Sequence, residues 1–206
     1  MIHGYHVILT MYGYWLPNDP RGSWTEFVGR WELAQFGRPR RVLERKELAE
    51  LNSVERAQRD AARKSLLHPP VTLSIEQTES IAAGFAESVK TSGYTIWACA
   101  IMPQHTHLVI ARHRYQVEQV ATILKGAATR QIVNDRRHPI ANLESNVAPP
   151  TMWARGCWKV YLDSEGSIQT AIRYVEENPV LEEKPRQTWA FVTPFRGLDA
   201  GWVTYH

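Results

Sequence analysis

Hydrophobic and polar positions alternate with two different periods along this chain, and their order predicts a fold. Tyr5 to Met11 (YHVILTM) is β-branched and apolar with no breaker, and is expected to be a strand. Strand side chains alternate, so His6, Ile8 and Thr10 share one face, while Tyr5, Val7, Leu9 and Met11 share the other. Leu43 to Leu67 is charged and helix-favouring, with sparse apolar positions at Leu48, Leu51, Val54, Ala61 and Leu66. It reads as one or two solvated helices outside the main core. Ser74 with Gln77 three residues on is a capping-box pattern. Ile75, Ala82, Phe85 and Val89 then keep helical spacing up to a terminating Gly93. Tyr94 to Met102 is almost continuously apolar, as a central or doubly covered strand requires. His105 to Arg112 is the next strand. Val117, Val120, Ala121, Leu124, Ala128 and Ile132 mark a second amphipathic helix. Met152 to Leu162 reads as a fourth strand. Ile168, Ala171, Ile172 and Val175 mark a third helix, expected to end near Asn178 because Pro179 follows.

A β-α-β-β-α-β run folds most simply as an α+β, ferredoxin-like sheet of four antiparallel strands with helices on one face. The first and third strands are then central neighbours, and His6, His105 and His107 share the open face. The last helix is an addition to this unit. The expected organisation is one domain over 1–180, with an insertion at about 13–70 after the first strand, and a tail over 181–206.

Composition narrows the class. Hydrophobic residues make up 44% and charged residues 22%, an ordinary globular balance. A net charge of +3 excludes a polycation and leaves charge placement to decide any polyanionic partner. Two cysteines, Cys99 and Cys157, exclude a disulfide scaffold and a cysteine-rich zinc site. No apolar run approaches membrane-spanning length and no leader pattern opens the chain, so a cytoplasmic protein without a membrane partner is expected. Eight tryptophans are enough for some to serve as surfaces on which bases stack.

The chemistry concentrates in two places. His105 and His107 project from one face of a strand, with Thr106 facing the other way. Two adjacent imidazoles form a half-site for a divalent metal, although the same pair also suits plain packing at a strand end. Tyr174 and Asn178 are four residues apart on one helical face, at the shoulder of its apolar stripe. An amide oxygen there can serve as a third ligand and a phenol as a nucleophile. A structural zinc site built from His105, His107 and His6 or His113 would leave Tyr174 and Asn178 unexplained.

Met102-Pro103-Gln104-His105-Thr106-His107-Leu108-Val109 resembles the Met-Pro-Asn-His-hydrophobic-His signature of single-tyrosine HUH transposases. The similarity is to the branch of REP-associated tyrosine transposases and related single-strand insertion-sequence transposases. Tyr174-Val175-Glu176-Glu177-Asn178-Pro179 resembles the segment that carries their catalytic tyrosine. Tyr5-His6-Val7, Trp15-Leu16-Pro17, Asp19-Pro20-Arg21-Gly22, Leu124-Lys125-Gly126 and Trp153-Ala154-Arg155-Gly156 also fit, so the resemblance runs from about Tyr5 to Pro179. Two positions depart from it. Thr106 replaces a large hydrophobic residue, and Gln104 replaces an asparagine.

The resemblance implies a transposase that cleaves and rejoins single-stranded DNA beside a hairpin. Tyr174 would form a 5′-phosphotyrosine, and His105, His107 and Asn178 would hold Mg²⁺ or Mn²⁺. His6 is a candidate accessory group, including general base. Arg38, Arg40, Arg41, Lys125, Arg130, Arg155 and Lys159 are candidate DNA contacts, with Trp153 and Trp158 available for stacking. The partner would be single-stranded or hairpin DNA, bound by a monomer or a homodimer. The rival implication is a domesticated hairpin-binding protein with little or no strand transfer.

Overall fold

Alternation builds the first strand: Gly4–Thr10 (β1) buries Val7 and Leu9 completely on one side. In this computed structural model, which describes residues 1–14, 16, 52–140 and 148–198, β1 is a central strand. It pairs antiparallel with His105–Ala111 (β3) and with Trp158–Leu162 (β4). Ile96–Ile101 (β2) pairs antiparallel with β3, giving the order β2-β3-β1-β4. The helices among the described residues are Ser53–Lys64 (α1), Ile75–Ser92 (α2), Val117–Asn134 (α3) and Glu165–Leu181 (α4). Leaving α1 aside, the order is β-α-β-β-α-β followed by a further helix, and the expected antiparallel α+β sheet is present. None of these helices is long and apolar enough to cross a membrane.

The chain divides into two compact units, 1–10 with 72–206, and 11–71. In the smaller unit, Asn52 caps α1 through a reciprocal capping box with Glu55. Only Ala62 of that helix is buried, in keeping with a solvated helix. The chain ends of the unit meet where Val71 N–H donates to the Tyr12 carbonyl at 2.9 Å. Residues 43–51 of the charged segment, the motifs at Trp15, Pro17 and 19–22, and the cluster Arg38, Arg40 and Arg41 lie outside the described residues.

In the larger unit the sheet is covered on both faces. Val7, Leu9, Leu108 and Ile110, each no more than 1% exposed, face α2 and α3. Each such side chain contributes roughly 1.5–3 kcal/mol by leaving water. The two helices cross closely at Gly84, where an added Cβ would lie 2.7 Å from the Ala128 Cα. Ser74 and Gln77 make the expected capping box, and Gly93 ends α2 at φ 71°, a left-handed conformation that glycine adopts without strain. On the other face Ala98, Ala100, Met102 and Val109 form an apolar cluster with Ile168, Ala171 and Val175 of α4.

Three expectations need correction. Met152 to Cys157 is not part of β4; it approaches β1 through Ala154 N–H to the Thr10 carbonyl and then turns through Gly156 at φ 71°. Helix α4 does not stop at Asn178 but carries Pro179 inside it and ends at Leu181. Residues after 181 are not merely a tail. Thr193 N–H donates to the Ile96 carbonyl, and the Gln187 amide bonds both the N–H and the C=O of Ile101 at 2.7 and 2.8 Å. An outer edge of β2 that would otherwise present open backbone groups is closed by this segment.

Candidate active site

The site is assembled by β1, β3 and α4. A tight turn, closed by Met102 N–H to the His105 carbonyl at 2.8 Å, starts β3 directly at His105, with Gln104 in the turn. Register then places Thr10 opposite His105 and Ile8 opposite His107. His6, one face-sharing position further along β1, brings its ring beside His107. The ring centroids of His105 and His107 lie 4.6 Å apart at 89°, and those of His6 and His107 lie 5.2 Å apart, stacked. His6 Nε2 and His107 Nδ1 share a hydrogen bond of 3.0 Å. All three histidines are buried. Burial pulls His6 down to about 4; burial, then the neighbouring His105 and His6, pulls His107 down to about 2. Both rings are therefore neutral at physiological pH, the state in which imidazole can ligate a metal.

Helix α4 brings Tyr174 over this row. Its ring centroid is 5.4 Å from that of His107 and 5.6 Å from that of His6, and the residue is 45% exposed. One turn on, Asn178 lies on the same side of the helix and is buried, with an Oδ1 that has no hydrogen-bond partner. A buried amide oxygen left unpaired costs about 1–3 kcal/mol, which a cation would recover. Among the described residues no three His, Cys, Asp or Glu side chains converge to hold a metal. A metal here would thus draw on the two histidines and a neutral oxygen. The donor set of two imidazoles and one amide oxygen fits a divalent ion of the Mg²⁺ to Mn²⁺ class.

The remaining candidates separate. Trp158 meets His6 edge-on at 5.7 Å and belongs to the site. Trp153 is 5% exposed and donates its indole N–H to Thr129 Oγ1 at 3.1 Å, so its ring packs inward and offers no surface to a base. The Lys125 ammonium donates to the Ala154 carbonyl at 2.8 Å and to that of Gly156, and burial pulls it down to about 8. It braces the turn before β4. Lys159 is paired with Glu118. Arg130 and Arg155 are exposed. The residues that sequence reasoning missed are Gln187 and the stretch at 189–198. The signal for that stretch was the run of apolar residues Trp189, Phe191, Val192 and Phe195 beyond a helix that had no further core to serve; Gln187 left none.

The structure is thus a β-α-β-β-α-β antiparallel sheet with paired histidines opening its third strand and a tyrosine laid over them from a following helix. The chain belongs to the IS200-like transposase family, whose model, described as "Transposase IS200 like", matches residues 70–178. Among solved structures it is similar to a REP-associated tyrosine transposase bound to a REP hairpin. That match has 9% identity and a TM-score of 0.45, covering 92% of this chain and 74% of the other. It is also similar to a provisionally assigned transposase from Deinococcus radiodurans, at 13% identity and a TM-score of 0.40, covering 86% of this chain and 91% of the other. No curated protein matches significantly.

Proposed function

We propose that this transposase cuts and rejoins single-stranded DNA beside a hairpin, with Tyr174 as nucleophile and His105, His107 and Asn178 as ligands of Mg²⁺ or Mn²⁺. The observation that carries the reading is the Tyr174 ring 5.4 Å from His107, half-exposed above a buried imidazole row. The Tyr174 phenol oxygen attacks the phosphorus, a new phosphorus–oxygen bond forms, and the bond to the 3′-oxygen breaks. The phenol proton ends overall on the released 3′-hydroxyl, and the 5′-phosphotyrosine conserves the bond for rejoining. A bound divalent ion would supply neutralisation of the charge that develops on the phosphoryl oxygens. The α4 scaffold fixes the attacking oxygen over the β3 histidines, so the reaction gains from orientation. Exposed Arg130 and Arg155 are available to the DNA backbone. The hairpin preference rests on the sequence motifs.

The test uses labelled oligonucleotides with a hairpin and a single-stranded flank, with Mn²⁺ or Mg²⁺. A covalent protein–DNA band is expected that Tyr174→Phe abolishes, and His105→Ala and His107→Ala should lose cleavage while keeping salt-sensitive binding. Equal adducts from wild type and Tyr174→Phe would refute the nucleophile. Binding without any adduct would favour the domesticated hairpin-binding protein.

A further inference from the structure

His6 has no assigned role in the metal set or in the attack, yet it makes a buried side-chain hydrogen bond in the site, 3.0 Å from its Nε2 to His107 Nδ1. A neutral imidazole carries one proton and one lone pair on its two ring nitrogens. Two tautomeric pairings satisfy the contact. In one, His6 Nε2–H donates and His107 Nδ1 accepts. His107 then carries no proton on Nδ1, its proton sits on Nε2, and neither nitrogen retains a lone pair for a metal. In the other, His107 Nδ1–H donates and His6 Nε2 accepts, leaving the lone pair of His107 Nε2 uncommitted on the far side of the ring. Only the second pairing is compatible with His107 as a ligand, an inference that rests on the metal reading above.

We infer that His6 is a positioning residue: its Nε2 accepts the Nδ1–H of His107 and so fixes the tautomer and ring orientation in which His107 Nε2 can ligate a divalent ion. Ligating histidines commonly donate their second N–H to a carboxylate, a carbonyl or water. Here a neighbouring strand supplies an imidazole in that place. The acceptor is itself held by its surroundings, since Trp158 meets the His6 ring edge-on at 5.7 Å and Tyr174 at 5.6 Å. The stacked geometry of His6 on His107, 29° between planes, further limits rotation of either ring. This assignment also removes His6 from contention as the base for Tyr174 through Nε2, because that lone pair is engaged by His107.

The test begins with the wild-type, metal-free chain. Ring ¹⁵N chemical shifts at neutral pH should place the proton of His107 on Nδ1 and that of His6 on Nδ1. A His107 proton found on Nε2 would overturn the inference. Next, Mn²⁺ affinity is read from the electron paramagnetic resonance of the free ion, which needs neither DNA nor turnover. His6→Phe, which has no acceptor, should weaken Mn²⁺ binding by about 10- to 100-fold. His6→Gln restores an acceptor oxygen at similar reach and should hold affinity within about threefold of wild type. Equal affinity for His6→Phe and wild type would overturn the assignment, as would equal loss in both variants with the fold intact. Should Mn²⁺ binding be indifferent to His107→Ala, the metal reading itself falls, and this inference with it. Mn²⁺ binding that needs His107 but ignores His6 removes this inference alone.

Discussion

Thr106 stands between the two site histidines and points away from them, and its replacement by valine should stabilise the protein. The residue is 0% exposed, and its Oγ1 has no hydrogen-bond partner. Its strand neighbours are Leu9 and Ile101, both buried apolar residues, so the hydroxyl sits in a hydrocarbon environment. An unsatisfied buried hydroxyl costs about 1–3 kcal/mol relative to its solvated state. Valine has nearly the same shape and the same β-branch, so strand preference and χ1 freedom do not change. A gain of about 1–3 kcal/mol is therefore expected for Thr106→Val. For a chain of this length that corresponds to roughly 2–12 °C in Tm at about 2–4 °C per kcal/mol. Thr106→Ser is the matched control, because it keeps the hydroxyl and loses a methyl, and should lose about 1 kcal/mol. The order of urea midpoints should be Val above Thr above Ser, with unchanged slope. Mn²⁺ affinity should be the same in all three, since the side chain is on the opposite face from His105 and His107. A Thr106→Val chain that is no more stable than wild type would refute the reasoning, by showing that the hydroxyl is satisfied, for example by a buried water.

Other consequences can be checked independently. Gly84→Ala places a Cβ 2.7 Å from the Ala128 Cα and 2.8 Å from the Ala127 carbonyl oxygen. Overpacking of about 1–3 kcal/mol should exceed the roughly 1 kcal/mol gain in helix propensity, so its urea midpoint should fall. Gln187→Ala strips both backbone partners from Ile101; faster amide exchange at Ile101 than at the internally paired Leu108 is expected. Lys125 is pulled from 10.5 to about 8 by burial, so the unfolded chain holds more of this proton between those values. Stability then rises with pH through that window. Wild type should gain up to about 3 kcal/mol on Lys125→Met between pH 8 and 10.5, read as the difference between two urea titrations.

The sheet was legible because period and punctuation agreed along it. β2 is buried at every position, as its nearly continuous apolar sequence requires, while α2 carries at both ends the caps its sequence advertises. Two failures have one cause, which is that local rules yielded to tertiary contacts. Lys125 reads as a candidate DNA contact, yet its ammonium turns inward to the carbonyls of Ala154 and Gly156, where what looked like strand is a turn. Trp153 reads as a stacking surface, yet Thr129 takes its indole N–H. The closure of β2 by Gln187 could not be read from pattern at all, because a single amide imitating a peptide group leaves no periodic trace.

Pro179 ties fold to site. A proline inside a helix forfeits one backbone bond and costs about 3 kcal/mol or more, which is why the sequence suggests a stop at Asn178. Here the helix continues because Pro179 is buried, and its carbonyl accepts from Glu182 and Lys184 N–H groups at 3.1 and 2.8 Å. Asn178 is consequently an interior residue of α4 and not a frayed cap. Had the helix ended there, the Asn178 side chain would be free to turn back onto its own backbone, as asparagine commonly does at termini. Held in mid-helix, it keeps its one-turn spacing from Tyr174, and its Oδ1 stays buried and unpaired. The helix that runs on through this proline thus keeps Tyr174 and Asn178, the proposed nucleophile and third ligand, one turn apart along one rigid element.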